Sequence, residues 1–442
     1  MKVPELRRRI LFTLAMIVVV RLGVQIPLPG IDVMELQKVI EASANASGPG
    51  AGLATVLTIF SGGGLQQCGI FALGIMPYIS ASIMTQLLSA VVPQWAKMVR
   101  EEGGRQKMTK WTRAIAIVIA LVQGWFLVGT LEHPERLQAV GLNIPADCQL
   151  VIDPGIQFAL MTVLIMVAGT MFLMWIGDQI TERGVGNGVS LIISVNIIHA
   201  LPGAVTLAWK TLVYKDGTVV PMGAMLLVAL IAFLIVVVAL VVTVTQAQRR
   251  IPVQYAKRQV GRKMYGGQSS TLPMKVNMSG VLPIIFAQSI ASLPITIWTF
   301  IGMPKEGTVS YSIYNAIDTK SVIYMVVYFI MIIGFSYFYS SIQFNPVEIA
   351  NNLKKQGGFI PGFRPGQPTV QFIQKVLGRI TLFGAIYLGI VAICPLIVGK
   401  IIDNSSLAIG GTSVIIVVGV ALETVKALEN QMLMRQYKGF LE

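Results

Sequence analysis

Charge is scarce in this chain. Lysine, arginine, aspartate and glutamate make up 12% of its 442 residues, about half the ~25% of an ordinary soluble protein. Histidine is nearly absent: His133 and His199 are the two present, and neither sits in a metal-ligand pattern. The three cysteines, Cys68, Cys148 and Cys394, have no metal spacing and are too few for a disulfide framework. The glycine-rich runs Gly62–Gly64 and Gly184–Gly188 lack the lysine of a phosphate loop, and no strand precedes them. They read as a hinge and a turn. These shortages argue against a metalloenzyme, a nucleotide-binding domain and a disulfide scaffold, and no cofactor is expected.

What the chain has instead is apolar length. Hydrophobic residues make up 54% of it, the mean hydropathy is +0.72, and the apolar residues fall in blocks of about 20, the number of helical residues needed to cross a ~30 Å hydrocarbon core. Spans are expected at about 10–27, 70–92, 113–131, 154–176, 189–208, 221–244, 280–302, 321–341, 380–398 and 409–428. The first follows Arg7, Arg8 and Arg9 like a signal sequence, but it contains Arg21 and lacks a small-residue cleavage site, so it reads as a retained helix. The expected fold is therefore all-α, a polytopic membrane protein.

Lysine and arginine set the expected orientation. Of the 34, 26 lie in the termini and loops on one side, 7 lie on the other, and Arg21 is within a span; acidic residues divide 9 against 11, so the sides carry net +17 and −4. The richer side, which holds both termini, is expected to be cytoplasmic. Ten spans divide into two sets of five, 1–208 and 221–442, joined by the outer loop 209–220. Because five is odd, the halves would be inserted in opposite senses, an arrangement common among transport proteins. One apolar piece is too short to cross: Leu53, Ala54, Thr55, Val56, Leu57, Thr58, Ile59 and Phe60, about 12 Å as a helix. It precedes Ser61 and the glycine hinge, and it either lies at the interface or folds back into the protein.

Ion coupling would require ionisable groups in mid-span, and few exist. Arg21 can snorkel or find a partner, Glu423 and Lys426 lie near the inner end of the last span, and His199 reads as a packing residue. Gln86, Gln123 and Asn277 are uncharged amides of the kind that hydrogen-bond between helices. Two basic-side loops, 245–279 and 342–379, exceed what topology alone asks. The first carries seven basic residues and no acidic one, with β-compatible stretches at Ile251–Tyr255 and Lys263–Tyr265. The second holds Arg364 between Pro361-Gly362 and Pro365-Gly366, which limits its backbone. Both suggest docking of an anionic partner.

Several long motifs carry a family resemblance: Ile70–Gln86 (IFALGIMPYISASIMTQ), Gly169–Ser190 (GTMFLMWIGDQITERGVGNGVS), Tyr255–Arg262 (YAKRQVGR), Pro273–Pro283 (PMKVNMSGVLP) and Gly410–Ser413 (GGTS). Over essentially its whole length the chain resembles the SecY family, the central channel subunit of the bacterial protein translocase. The resemblance implies a pore between the halves, ringed by Ile75, Ile79, Ile193, Ile285 and Ile416, and a plug at 53–60. It implies a lateral gate flanked by the second and seventh spans, with Gln86, Gln123 and Asn277 as its polar residues. Lys257, Arg258, Arg262, Lys263 and Arg364 would engage the motor ATPase SecA or the ribosome. SecE and SecG subunits, signal-sequence-bearing preproteins and anionic lipids are the other implied partners, and the bacterial inner membrane is the implied location. Gln288, beside Ser289, is a bulkier polar residue than the resemblance leads one to expect near the pore. A secondary transporter with inverted repeats is the alternative from composition alone.

Overall fold

A computed structural model describes residues 4–32, 34–35, 61–64, 67–101, 103–132, 150–209, 213–215, 218–219, 221–255, 258–260, 263–265, 269–278, 280–301, 313, 316–317, 321–401 and 405–438. The expected plug, 53–60, lies outside the described residues, as do Lys257 and Arg262.

The chain runs through helices α1 (Pro4–Val24), α2 (Met76–Val91), α3 (Pro93–Arg100), α4 (Gly104–Glu132), α5 (Ile156–Arg183), α6 (Gly188–Ala208), α7 (Pro221–Gln246), α8 (Leu282–Ile301), α9 (Val322–Gln343), α10 (Pro346–Lys355), α11 (Gln367–Ile401) and α12 (Ser405–Lys438). Each of the ten expected spans coincides with one of these helices. Of them, α4, α5, α7, α9 and α11 contain stretches long and apolar enough to cross a membrane, and α6 and α8 hold shorter apolar stretches over 188–203 and 282–294.

Two boundaries differ from expectation for local reasons. The second span was expected from residue 70, but regular helix starts at Met76. Residues 67–75 form turns tied to the end of α1, with Leu28 N donating to Cys68 O at 2.9 Å and Ile70 N to Ile26 O at 3.0 Å. Gly74 takes φ 57°, and Pro77 sits in the first turn of the helix, where its missing N–H costs nothing. The ninth span was expected from residue 380, yet α11 begins at Gln367, because its first turns have a buried partner on the basic side.

Three apolar cores organise the helices. One joins the end of α1 with α2, α4 and α5, through residues such as Leu28, Ala120, Val163 and Met166. A second joins α7, α8, α9, α11 and α12, through Val241, Ile284, Tyr328, Ile332 and Ala392. The third takes residues from both halves and lies between them. Side-chain hydrogen bonds reinforce each half from within: Thr85 with Thr112 at 3.0 Å across α2 and α4, and Ser340 with Thr381 at 3.0 Å across α9 and α11. An Arg113–Asp178 ion pair adds a link between α4 and α5.

The turn from α5 to α6 is built for close approach. Asn187 caps α6, its Oδ1 accepting from Val189 N at 3.1 Å and Ser190 N at 3.3 Å. A Cβ on Gly188 would collide with the Gly177 carbonyl oxygen, so the end of α5 meets the start of α6 only with glycine there.

On the basic side the strands β3 (Gln248–Tyr255), β6 (Ser269–Lys275) and β7 (Gly358–Phe359) make an antiparallel sheet in the order β6-β3-β7. Gln248 pairs with Lys275 and Gln254 with Ser269; on the other edge Gln254 pairs with Phe359. Because β7 reaches only Gln254 and Tyr255, Pro252 lies where β3 is still an edge, the place a sheet tolerates proline. Strands β4 (Arg258–Val260) and β5 (Lys263–Tyr265) pair as a hairpin beyond the sheet. Both stretches expected to be β-compatible are strands.

Candidate functional site

The central cluster is where the expected ring residues meet. Ile75 and Ile416 are fully buried, and Ile79, Ile193 and Ile285 are 2–4% exposed, all within one contiguous apolar group. Ile75 caps the start of α2 and Ile79 follows one turn later; Ile193 comes from α6, Ile285 from α8 and Ile416 from α12. Around them pack Val20, Phe71, Ile176, Ile197, Val281 and Val420, which single-residue inspection of the sequence had no reason to select. No member of this cluster is ionisable. A contact this dry excludes water and ions because hydrating it would open a cavity among aliphatics.

Gln288 lies one turn beyond Ile285 on α8, 6% exposed, and its Oε1 has no hydrogen-bond partner among the described residues. Its neighbours satisfy themselves locally: Ser289 Oγ donates to Ile285 O at 2.8 Å and Ser292 Oγ to Ser289 O at 2.9 Å.

The α2–α8 contact is the expected lateral gate, and these helices do pack together. Phe286 presents its edge to Phe335 and Tyr339 of α9, with ring centroids 6.1 and 6.3 Å apart, so α8 is anchored on its far side. The amides act more locally than the sequence suggested. Gln86 Nε2 donates to Ser82 Oγ on its own helix at 3.1 Å, and Asn277 Nδ2 donates to Gly280 O at 3.1 Å in the turn leading to α8. Gln123 lies on α4, whose main partners are α2 and α5. The structure thus brings Gln86 and Asn277 to the elements flanking the seam, and places Gln123 a helix away.

Arg21 was legible as a charge within a span, but its partners were not. Its Nη1 donates to the Gly62 carbonyl at 3.2 Å and to Asn196 Oδ1 of α6 at 3.3 Å. The tether at 61–64 is thereby tied to the wall of the central cluster.

The basic side carries a second body. Ile251 and Val253 of β3, Met274 of β6, Leu353 of α10 and Ile373 and Leu377 of α11 bury one another together with Ile360. The two basic-side loops are therefore one unit resting on the extended start of α11. Arg364 is exposed on its rim. Its turn is held by Phe363 N donating to Ile360 O at 3.0 Å, by Thr369 Oγ1 donating to Arg364 O at 2.8 Å, and by Phe363 packing on Phe372 with centroids 4.2 Å apart. Gly362 and Gly366, at φ 87° and 117°, supply the left-handed corners on either side. Arg258 and Lys263 lie on the β4–β5 hairpin. Among the described residues no group of three or more His, Cys, Asp or Glu could hold a metal.

A profile of the SecY family matches residues 69–425. The chain belongs to the SecY family. Protein translocase subunit SecY of Streptomyces coelicolor is 43% identical over 443 residues, covering 100% of this chain and 98% of that protein. Its counterpart in Mycobacterium bovis is 42% identical over 453 residues with the same coverage. Solved structures share the fold at lower identity. One described as a protein conducting channel has a TM-score of 0.62 at 16% identity, covering 98% of this chain and 94% of that one. Canine Sec61 in a ribosome-channel complex has a TM-score of 0.56 at 15% identity, covering 98% and 94%. As a SecY protein this chain is a multi-pass membrane protein with a polytopic helical fold.

Proposed function

We propose that this chain is the protein-conducting subunit of a translocase: it passes unfolded preproteins across the bacterial inner membrane and releases signal sequences and membrane helices sideways into lipid. The observation that carries this reading is the convergence of Ile75, Ile79, Ile193, Ile285 and Ile416, from four helices of both halves, into one dry cluster. A channel for chains of every sequence has no use for a ligand-specific site. An aliphatic ring seals against water by its surface alone and yields to any side chain that displaces it. Segment 53–60 serves as the plug.

Sideways release follows from the same construction. The halves 1–208 and 221–442 are bonded internally by polar pairs and meet through an apolar contact, so α2 can part from α8 while each half stays intact. An apolar signal of about 20 residues gains free energy by moving through that opening into lipid. The chain is not itself an enzyme in this reading and uses no cofactor, so the driving force comes from outside. Lys257, Arg258, Arg262, Lys263 and Arg364 face the cytoplasm, as do both termini, and receive SecA or the ribosome. Contacts to ribosomal RNA phosphate or to anionic lipid would weaken with salt. SecE and SecG complete the complex.

Reconstitution with SecE, SecG, SecA, ATP and an unfolded preprotein tests this directly. Protease-protected preprotein inside the vesicles is expected. Uptake of small solutes with no preprotein translocation would refute the channel and favour a carrier.

A further inference from the structure

Arg21 carries a full charge inside the first span, and only part of its hydrogen-bonding capacity is met. Nη1 has the Gly62 carbonyl and Asn196 Oδ1, while Nη2 is buried with no partner among the described residues. A half-satisfied guanidinium at this depth does not stabilise a membrane protein, and an ionisable group there points to a working role. What it holds identifies that role. Gly62 lies in the short tether between 53–60 and the turns before α2, and Gly62 and Gly63 occupy left-handed backbone at φ 65° and 87°. Ser61 is buried, and His199 of α6 flanks Gly63. A Cβ at Gly62 would run into the Asn196 side chain. Asn196 in turn sits next to Ile197 and three residues past Ile193, both members of the central cluster. One guanidinium therefore joins the tether to α1 and α6, two helices that wall the ring.

We propose that Arg21 is a positioning residue for the resting channel: its guanidinium fixes the tether against α6, and so holds 53–60 under the isoleucine ring until the Gly62 carbonyl is released. This rests on the reading of 53–60 as a plug. Opening exchanges the Gly62 contact for water reaching the outer funnel, and the tether then pivots at Gly62 and Gly63 while its α2 end stays in place.

The test is resting ion conductance of the channel with its partner subunits in planar bilayers, with membrane abundance measured in parallel. Arg21→Ala is expected to raise conductance roughly tenfold, the shift that loss of one charge-assisted hydrogen bond gives a two-state closure. Arg21→Lys, which keeps charge and a donor, should restore much of the closure. In a channel deleted for 53–60, which leaks already, Arg21→Ala should add nothing, because the arginine acts only through the segment it positions. If Arg21→Ala does not accumulate in the membrane, Asn196→Ala, which removes one of the two acceptors, is expected to leak to a smaller degree. Leakage in the deletion but not in the Arg21 or Asn196 variants would overturn the proposal and leave the plug standing. No leakage in the deletion would overturn both. Additive leakage in the double variant would show that Arg21 supports the ring and not the tether.

Discussion

The central cluster draws on helices spread from Val20 to Val420 and consists of aliphatic and aromatic side chains, whereas the basic body draws on two neighbouring loops and the start of one helix and ends in fixed charges. Apolar contact is non-directional and scales with area. Many side chains of similar bulk would serve in the first region, and its performance should decline gradually as residues change. Electrostatic docking depends on the sign and placement of a few groups. The second region should lose function abruptly when its frame or one charge is altered. Sealing tolerates substitution better than docking does.

The largest effect should come from breaking the frame of the basic body. Ile373 is fully buried under the sheet, and Ile373→Asp would place an unpaired charge there, a change costing several kcal/mol if the core stayed closed. Motor-driven export is expected to fall more than about tenfold while the ring remains sealed, read as lost preprotein translocation with unchanged resting conductance. The apolar helices do not depend on this core, so the protein should still reach the membrane, and faster trypsin cleavage within 245–279 should report the detached sheet.

Arg364→Glu tests the charge without the frame. Export should drop several-fold at normal membrane abundance, since an exposed substitution alters stability by only about 0.5 kcal/mol. Unchanged export would remove Arg364 from the docking surface. Raising ionic strength should weaken SecA or ribosome binding, because the contact is charged. It should leave the resting seal unaffected, because the ring is not.

At the ring, Ile416→Asn places an amide in the dry contact. Resting leak should increase, and preproteins with defective signal sequences should be exported better than by the parent; unchanged leak and unchanged signal stringency would make these isoleucines packing residues only. The smallest effect is expected for Ile79→Val, which removes one methylene. A loss of about 0.5–1.5 kcal/mol in stability, with conductance within roughly twofold of the parent, would fit a seal made by bulk. A large leak from that change would mean that the ring depends on precise shape, and the contrast with the docking surface would fail.

The apolar segments were legible in the sequence because a hydrocarbon layer imposes a length on anything that crosses it, and their helices can be read without knowing their neighbours. The α5–α6 glycine turn and the strands around Ile251–Tyr255 and Lys263–Tyr265 were legible for similar local reasons. The five isoleucines were not distinguishable from other aliphatics by pattern; the family resemblance named them, and tertiary packing gathers them. Three features required the folded chain. The first turns of α11 exist because the sheet covers them, α2 starts late because residues 67–70 pair with the end of α1, and Arg21 reaches Gly62 and Asn196 across separations of 41 and 175 residues. Partners that distant are chosen by how helices stack, and stacking depends on every face at once. The sequence determined which segments must enter the membrane and where charge cannot; the tertiary structure decided which of their side chains meet.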